Sequence, residues 1–214
     1  MLDSYKHKGL RKKLVSEIRE GGVRDKAVLR AMEDIPRHFF LDGVFIEQAY
    51  SNTAFRIGAG QTISQPYTVA FQTEMLQLKK GEKVLEIGTG SGFQTCILCE
   101  LGAKVYSIER QRELHLKSSQ IIRKLGYSPK LKYGDGYAGW PSFQPFDKIL
   151  VTCGAPGVPD DLLEQLAPNG RMVIPVGAGS KQEMLLITKS ADGEVTKQER
   201  GLFRFVPMLK KKEK

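Results

Sequence analysis

The chain has 214 residues, 41% of them hydrophobic, and its 33 basic against 24 acidic side chains give a formal net charge of +9. This length fits one domain, and no apolar run approaches the roughly 20 residues of a membrane span. The charged first residues lack the apolar segment of a secretory signal, and three cysteines, an odd number, argue against a disulfide framework. We therefore expect a single cytoplasmic domain, residues 1–214, with no membrane partner.

The first 66 residues are predicted to form helices and a loop. Apolar spacing predicts helices over 10–20 and 25–34, with Asp25 as the cap of the second. Residues 35–57 show no clear period, and 58–66 are rich in turn-forming residues. A further helix is predicted over 67–78.

Strands and helices then alternate in a core predicted over 67–207. Strands are predicted over 84–87, 104–108, 131–133, 148–152 and 171–175, and helices over 93–101, 111–125 and 159–166. Two last strands, 183–189 and 195–205, are joined by a turn and predict a hairpin at one sheet edge. The pattern predicts an α/β fold with a doubly wound, mostly parallel, seven-stranded sheet and an antiparallel edge, although the strand order stays open.

The basic charge is concentrated near both ends of the chain, in 6–13 and in the tail 208–214. The run Lys210-Lys-Lys-Glu-Lys214 is predicted to be disordered. No pattern of aromatic residues among the lysines accompanies the charge, so solvated charge is favoured over nucleic-acid binding.

A glycine turn, Gly88-Thr-Gly-Ser-Gly92, lies between the first predicted core strand and its helix. A dinucleotide-binding fingerprint needs a third glycine where this chain has Phe93. With Gly-x-Gly-x-Gly and the leading acid Glu86, the stretch instead resembles motif I of S-adenosylmethionine-dependent methyltransferases. That resemblance implies a cofactor site around the methionine part and the ribose, lined by Glu86, Gly88, Thr89, Gly90 and Gly92.

Acidic residues follow the next two strands, at the sheet edge where ligands bind in such folds. Glu109 ends the second strand, 21 residues after Gly88, where a carboxylate accepts from both ribose hydroxyls. Its neighbour Arg110 is included in the predicted site, and Gly134 and Asp135 after the third strand are predicted to flank the adenine. Any one of these acids alone is more often an exposed loop carboxylate, but acids at successive strand ends behind a glycine turn predict a cofactor site.

The loop before the core carries hydroxyl groups at Thr62 and Ser64, followed by Pro66. Ser64 lies in the N-cap region of the helix predicted over 67–78, and a helix N-terminus favours an anion. A carboxylate acceptor is therefore physically reasonable here. The alternative is that Ser64 only caps the helix, and both can be true at once.

The chain resembles the protein-L-isoaspartate O-methyltransferase family over about 10–207. The matching segments are Gly60-Gln-Thr-Ile-Ser-Gln-Pro66, Val84-Leu-Glu-Ile-Gly-Thr-Gly-Ser-Gly92, Gly134-Asp-Gly136, Phe146-Asp-Lys-Ile-Leu-Val-Thr152 with Ala155-Pro156, Leu166-Ala-Pro-Asn-Gly-Arg-Met-Val-Ile-Pro-Val-Gly177 and Arg204-Phe-Val-Pro207. The glycine turn is shared by many methyltransferases, whereas the Thr-Ile-Ser-Gln-Pro loop is much more particular to this family.

The resemblance implies that Ser64 is the active-site serine and that Thr62 and Ile63 help to close over S-adenosylmethionine. It also implies a substrate-binding set made up of Gln61, Ser64, Pro66, Val206 and Pro207. The expected reaction is esterification of the α-carboxyl of L-isoaspartyl residues in damaged proteins and peptides. The ester then closes to a succinimide, which hydrolyses in part to normal aspartate.

Other functions are less favoured. A methyltransferase of the same fold acting on RNA or a small molecule is the chief alternative, which the net charge supports. Cys153-Gly-Ala-Pro156 follows the fourth core strand. It lacks the pair of prolines followed by an aromatic ring that stacks a flipped base, which makes nucleic acid an unlikely partner. Phe93 argues against a nicotinamide-dependent oxidoreductase, and the intact acids and Ser64 argue against a non-catalytic module.

Cysteine and histidine patterns point to no metal. Cys96 and Cys99 lie on a predicted helix that packs on the sheet, so packing is favoured over zinc or redox chemistry. The three histidines, at positions 7, 38 and 115, are far apart in sequence and fit no metal-ligand spacing. We expect a monomer that acts on isoaspartyl proteins and peptides.

Overall fold

The computed structural model describes residues 2–41 and 46–213. Its helices are α1 Tyr5–Glu20, α2 Lys26–Asp34, α3 Pro66–Leu76, α4 Phe93–Glu100, α5 Arg112–Lys124 and α6 Asp160–Gln165. Its strands are β1 Phe55–Gly58, β2 Gln61–Ile63, β3 Lys83–Ile87, β4 Lys104–Glu109, β5 Lys130–Tyr133, β6 Phe146–Val151, β7 Leu166–Val176, β8 Gln182–Lys189 and β9 Val195–Phe203. Short 3-10 helices cover Arg37–Phe40 and Pro141–Phe143.

Strands β3 to β9 form a seven-stranded sheet in the order β5-β4-β3-β6-β7-β8-β9. Pairing is parallel from β5 to β7 and antiparallel between β7 and β8 and between β8 and β9. The chain reverses its direction of winding between β3 and β6, so the carboxyl ends of these strands open a crevice at the switch point. The predicted fold class is confirmed.

The N-terminal helices begin at side-chain caps. Helix α1 begins at Tyr5, five residues before the predicted start, and Ser4 caps it: the Ser4 Oγ accepts from the His7 N–H while the His7 side chain accepts from the Ser4 N–H. Asp25 caps α2, as predicted, and its carboxylate accepts from the N–H groups of Ala27 and Val28. Such a cap contributes about 1 kcal/mol. Both helices contact α3, so they form a layer against the core.

A small hairpin, β1–β2, stands where the sequence predicted only an irregular stretch and a turn-rich loop. Phe55 pairs with Ile63 and Arg56 with Thr62, and the turn between them has positive φ at Gly58, Ala59 and Gly60. Strands of four and three residues are too short for period-2 alternation to identify them. The hairpin matters because it presents 61–63 to the sheet edge.

The basic tail is the clearest departure from expectation. Residues 210–214 were predicted to be disordered, but the described part of that run, 210–213, docks on the ends of β4 and β5. Arg110 pairs with Glu213 at 3.0 Å, the Lys211 N–H donates to Asp135 at 2.7 Å, and Met208 is buried. The prediction was wrong because charge composition does not reveal partners placed about a hundred residues earlier in the chain.

Candidate active site

The glycine turn after β3 forms the floor of a cleft. The N–H of Gly88 donates to the Ile108 carbonyl at 2.9 Å, and Thr152 Oγ1 donates to the Gly88 carbonyl at 2.7 Å. Gly88 has φ +96°, and a Cβ there would stand 2.6 Å from Thr152 Oγ1. Glycine is therefore required for the turn to approach β6 this closely.

Glu109 lines this cleft, the donor cleft. Its Oε2 accepts from the Gly90 N–H at 2.8 Å and its Oε1 accepts from the Gln111 N–H at 2.8 Å. Burial raises the pKa of this carboxyl, while the backbone N–H groups of Gln111 and Gly90 act in the opposite direction. A carboxylate has about four lone-pair sites, so both oxygens keep capacity to accept from a ligand hydroxyl.

Most predicted site residues line the donor cleft, and some do not. Those that line it are Gln61, Thr62, Ile63, Ser64, Gly88, Thr89, Gly90, Glu109, Arg110, Val206 and Pro207. Those that do not are Pro66, Glu86, Gly92, Gly134 and Asp135. Gly136, two residues beyond Gly134, does line the cleft, and a Cβ there would stand 2.4 Å from Ile87 Cγ2.

The predicted residues outside the cleft have contacts of their own. Asp135 accepts from the N–H groups of Tyr137 and Lys211, at 2.9 Å and 2.7 Å, and so holds the tail. Gly92 has φ +89°, and a Cβ there would stand 2.9 Å from Ile122 Cδ1, so it permits close packing of α4 on α5. The Gly134 N–H donates to the Glu109 carbonyl at 2.9 Å. Their predicted cofactor contacts remain predictions.

Glu86 points behind the turn into the core. It is fully buried, and its Oε2 accepts from Thr95 Oγ1 at 2.5 Å. Oε1 has no partner among the described residues. Burial raises the pKa of this carboxyl from its usual 4.5 to about 7.

Glu86 is therefore expected to make the fold less stable as pH rises. Because the folded-state pKa lies above the unfolded value, the folded protein holds a proton that the unfolded chain releases between about pH 4.5 and pH 7. The free energy of unfolding falls across that window by about 3 kcal/mol. When urea unfolding is measured between about pH 4.5 and pH 7, the free energy of unfolding of the Glu86→Gln variant should not show this decrease. Glu17→Gln, an exposed carboxyl on α1, is the control, and an unchanged pH profile in Glu86→Gln would contradict the assignment.

Ser64 does not cap α3. The cap position is Gln65, and the free N–H of Tyr67 in the first turn is satisfied by Asn52 Oδ1 at 2.9 Å. The Ser64 hydroxyl has no hydrogen-bond partner within residues 2–41 and 46–213, although its carbonyl accepts from Arg37 at 2.8 Å. The interpretation of Ser64 as a helix cap was wrong, and its hydroxyl is free to donate to a ligand.

A second cleft, the acceptor groove, opens on the other side of Ser64. It runs between the loop at Asn52, the start of α3 and the segment that follows β9. Four residues line both the groove and the donor cleft, namely Thr62, Ser64, Thr152 and Val206. The two spaces therefore share a wall to which Ser64 belongs.

The groove carries positive charge. Lys181 and Arg204 line it, both are exposed, and neither pairs with a carboxylate among the described residues. Within residues 2–41 and 46–213, no acidic side chain lines the groove. Such a groove attracts an anionic acceptor.

Comparison with known proteins identifies the family. The profile of the protein-L-isoaspartate(D-aspartate) O-methyltransferase family matches residues 9–213. The chain belongs to this family. It is 58% identical to a protein-L-isoaspartate O-methyltransferase of Christiangramia forsetii, over 99% of this chain and all of the relative. It is 54% identical to one of Flavobacterium psychrophilum, over the same shares.

Solved structures agree. A protein-L-isoaspartate O-methyltransferase superposes with TM-score 0.84 at 29% identity, over 92% of this chain and 65% of that one. A second, from Plasmodium falciparum and bound to S-adenosyl-L-homocysteine, has TM-score 0.81 at 25% identity, over 93% and 98%. The predicted family, enzyme class and methyl donor are confirmed.

The donor cleft of this family member suits S-adenosylmethionine. The glycine turn leaves room for a ligand against the backbone, and Glu109 offers acceptors for ribose hydroxyls. Gln94 also lines the cleft, and its buried Oε1 has no partner among the described residues, so it can accept from an ammonium group. Sequence reasoning missed Gln94, because a glutamine on a helix after a glycine turn carries no specific signal.

A histidine cluster also escaped the sequence analysis. Asp3, His7 and His38 place their possible ligand atoms within 4.8 Å of one another, and the two imidazole rings are 3.9 Å apart. The carboxylate of Asp3 is already paired with the forked guanidinium of Arg11, and the Nδ1 of His38 with the Tyr50 hydroxyl. The cluster is better explained as a buried polar network that anchors α1, because the adjacent guanidinium repels a cation.

Cys96 and Cys99 are placed as the packing interpretation predicts. Cys96 is buried and Cys99 is half-buried. Burial raises the pKa of both groups, to about 12 for Cys99, so neither is a thiolate at neutral pH.

Proposed function

We propose that this family member transfers the methyl group of S-adenosylmethionine to the α-carboxyl of L-isoaspartyl residues, with Ser64 as the residue that holds the acceptor. One observation carries the proposal: Ser64 lines both the donor cleft and the cationic acceptor groove, and its hydroxyl has no hydrogen-bond partner among the described residues. Glu109, Gln94 and the glycine turn would hold the donor. Val206, which lines both the donor cleft and the acceptor groove, and Pro207, which lines the donor cleft, would lie beside the bound donor and acceptor.

The chemistry requires little from the protein beyond placement. When bound, S-adenosylmethionine supplies a methyl group already activated by its sulfonium. The acceptor carboxylate is ionised at neutral pH, since carboxyl pKa values lie near 4, so no general base is needed. Ser64 donates its hydroxyl to one carboxylate oxygen and thereby directs the other oxygen towards the donor cleft. Orientation and exclusion of water then account for the rate.

The groove is suited to a peptide rather than a small metabolite. It extends from Asn52 past Tyr67 to Phe205, with polar groups along the loop and aromatic rings at Tyr67, Phe203 and Phe205. Lys181 and Arg204 favour the negative charge that the isoaspartyl carboxylate brings. An extended chain can lie along such a surface with its carboxylate at Ser64.

Repair follows without further participation of the enzyme. In the methyl ester, methoxide is a better leaving group than the oxide of a carboxylate. The backbone nitrogen that follows attacks the ester carbonyl, methanol leaves, and a succinimide forms. Its hydrolysis returns part of the material as normal aspartate.

We further propose that the enzyme acts as a monomer in the cytoplasm, on proteins and peptides and not on nucleic acid. Residues of a single chain line both clefts, and all three cysteines are free, which suits a reducing compartment. No helix of the described residues has the length and apolar character to cross a membrane.

A matched peptide pair tests the function. The protein is incubated with methyl-labelled S-adenosylmethionine and either an isoaspartyl peptide, its aspartyl twin, or bulk RNA. We expect base-labile label on the isoaspartyl peptide, with at least about a hundredfold less on the twin, since the twin lacks the α-carboxyl in the required position. Equal labelling of the two peptides, or base-stable label on RNA, would refute the proposal.

A further inference from the structure

Arg37 is a buried guanidinium beside both clefts. It opens the 3-10 helix that follows α2, and only 1% of it is exposed. Burial lowers the pKa of Arg37 to about 9, so the group stays charged at neutral pH. Burial of a charge destabilises the folded state, so the contacts that the Arg37 guanidinium makes in return are of functional interest.

One NH2 group of Arg37 bridges two separate segments of the groove wall. Its Nη2 donates to the Ser64 carbonyl at 2.8 Å and to the Thr53 carbonyl at 3.3 Å. Thr53 lines the acceptor groove, and Ser64 lines both clefts. The guanidinium therefore connects the loop at Thr53 with the residue on which the acceptor is proposed to rest.

The same guanidinium also contacts the donor side. Its Cζ lies 5.0 Å from the ring centroid of Phe93, which begins α4 directly after the glycine turn and lines the donor cleft. Phe40 packs edge-on against the same ring at 5.4 Å. Arg37 thus contacts both walls whose relative position decides how donor and acceptor meet.

We propose that Arg37 is a positioning residue for methyl transfer, which holds Ser64 and the groove wall at Thr53 in fixed relation to Phe93 and the donor cleft. Arginine suits this task better than lysine, because a planar guanidinium can donate in its plane to two carbonyls while its face stacks on a ring. The proposal rests on the function proposed above for Ser64. It assigns Arg37 no contact with substrate.

Arg11 offers a matched control. It is the other buried arginine of the N-terminal region, at 5% exposed, and it bonds Asp3 and the Tyr50 hydroxyl, outside both clefts. Losing Arg11 should lower stability without moving the groove. Comparison of Arg37→Met and Arg37→Lys with Arg11→Met therefore separates positioning from a general loss of stability.

We expect Arg37→Met to lower kcat/KM for an isoaspartyl peptide by about a hundredfold, with the loss shared between a lower kcat and a higher peptide KM. The Kd for S-adenosylhomocysteine should stay within about twofold, and Arg37→Lys should recover part of the loss because it keeps one donor. Hydrogen exchange should accelerate at residues 52–54 and 64–68 and not in β3. Arg11→Met, assayed well below its Tm, should keep near wild-type kinetics.

Each other outcome counts against the proposal. If Arg37→Met matches Arg11→Met in peptide kinetics, Arg37 has no positioning role. If both Arg37 variants fail to fold while Arg11→Met folds, the role of Arg37 is structural and the proposal is overturned. Inactivity of the wild-type protein on isoaspartyl peptide would instead refute the proposed function, and accelerated exchange at 64–68 would still report on Arg37.

Discussion

Glu109→Gln is expected to weaken binding of S-adenosylhomocysteine by about a hundredfold. The two carboxylate oxygens of Glu109 accept from the N–H groups of Gly90 and Gln111, both at 2.8 Å. Glutamine has only one acceptor oxygen, so its NH2 group must face one of these N–H donors. The substitution therefore disturbs the glycine turn and also removes an acceptor that Glu109 offers to a ribose hydroxyl in the donor cleft.

The magnitude follows from the kind of hydrogen bond lost. Hydrogen bonds to a charged group contribute about 1.5–3 kcal/mol each, and loss of one such bond changes a Kd by about ten- to a hundredfold. Isothermal titration with S-adenosylhomocysteine measures the change directly. Because burial already raises the pKa of Glu109, the affinity of the wild-type protein should also fall at acidic pH, where the carboxyl takes up a proton.

Glu113→Gln is the control for Glu109. This exposed carboxyl lies in the first turn of α5, just beyond the cleft, and lines neither the cleft nor the groove. It should bind S-adenosylhomocysteine as the wild type does. A Glu109→Gln variant with the same Kd as Glu113→Gln would show that Glu109 does not contact the donor.

Ser64→Ala is expected to lower kcat/KM for an isoaspartyl peptide by about a hundredfold while the Kd for S-adenosylhomocysteine stays nearly unchanged. The hydroxyl has no partner among the described residues, so its removal costs the fold little. What is lost is a hydrogen bond to a carboxylate, about 1.5–3 kcal/mol. Steady-state kinetics with varied peptide, combined with titration of S-adenosylhomocysteine, separates the two effects.

Ser51→Ala controls for loss of a hydroxyl near the groove. Its Oγ donates to the Gln48 carbonyl at 2.8 Å, and the residue lines neither cleft. We expect wild-type kinetics from it. If Ser64→Ala also transfers methyl groups at the wild-type rate, the acceptor is held by other groups and the proposed role of Ser64 fails.

The parts of the site that could be predicted are those that depend on residues close together in the sequence. The glycine turn follows a strand and precedes a helix, and Glu109 ends the next strand, so the crossover rule brings both to one sheet edge. The structure places the Gly88 N–H on the Ile108 carbonyl, one residue before Glu109. The spacing of apolar residues was also sufficient to predict β4 and α5, whose observed bounds lie close to the predicted ones.

Side-chain direction at the strand ends was not predictable. Glu86 and Glu109 both belong to sheet strands next to the cleft, yet Glu86 turns inward to Thr95 while Glu109 faces the turn. Alternation along the strand does not separate them, because Glu86 pairs with Ser107 and Glu109 lies two residues further along β4, on the same face. Position along the strand decides it, since Glu86 precedes the last residue of β3 and contacts α4, whereas Glu109 is the last residue of β4. Asp135 similarly follows β5 as expected, but its carboxylate accepts from the backbone of the tail, which the sequence predicted to be disordered.

The sequence by itself determined the class of fold, the turn that faces the donor and the family motif around Ser64, because these depend on residues close together in the chain. Only the tertiary structure decided that Asn52 satisfies the first turn of α3 and that the tail docks through Glu213. It also decided that Arg37 joins Ser64 to Thr53. These contacts join segments 15 to 103 residues apart, and packing of the whole chain, not local propensity, selects them.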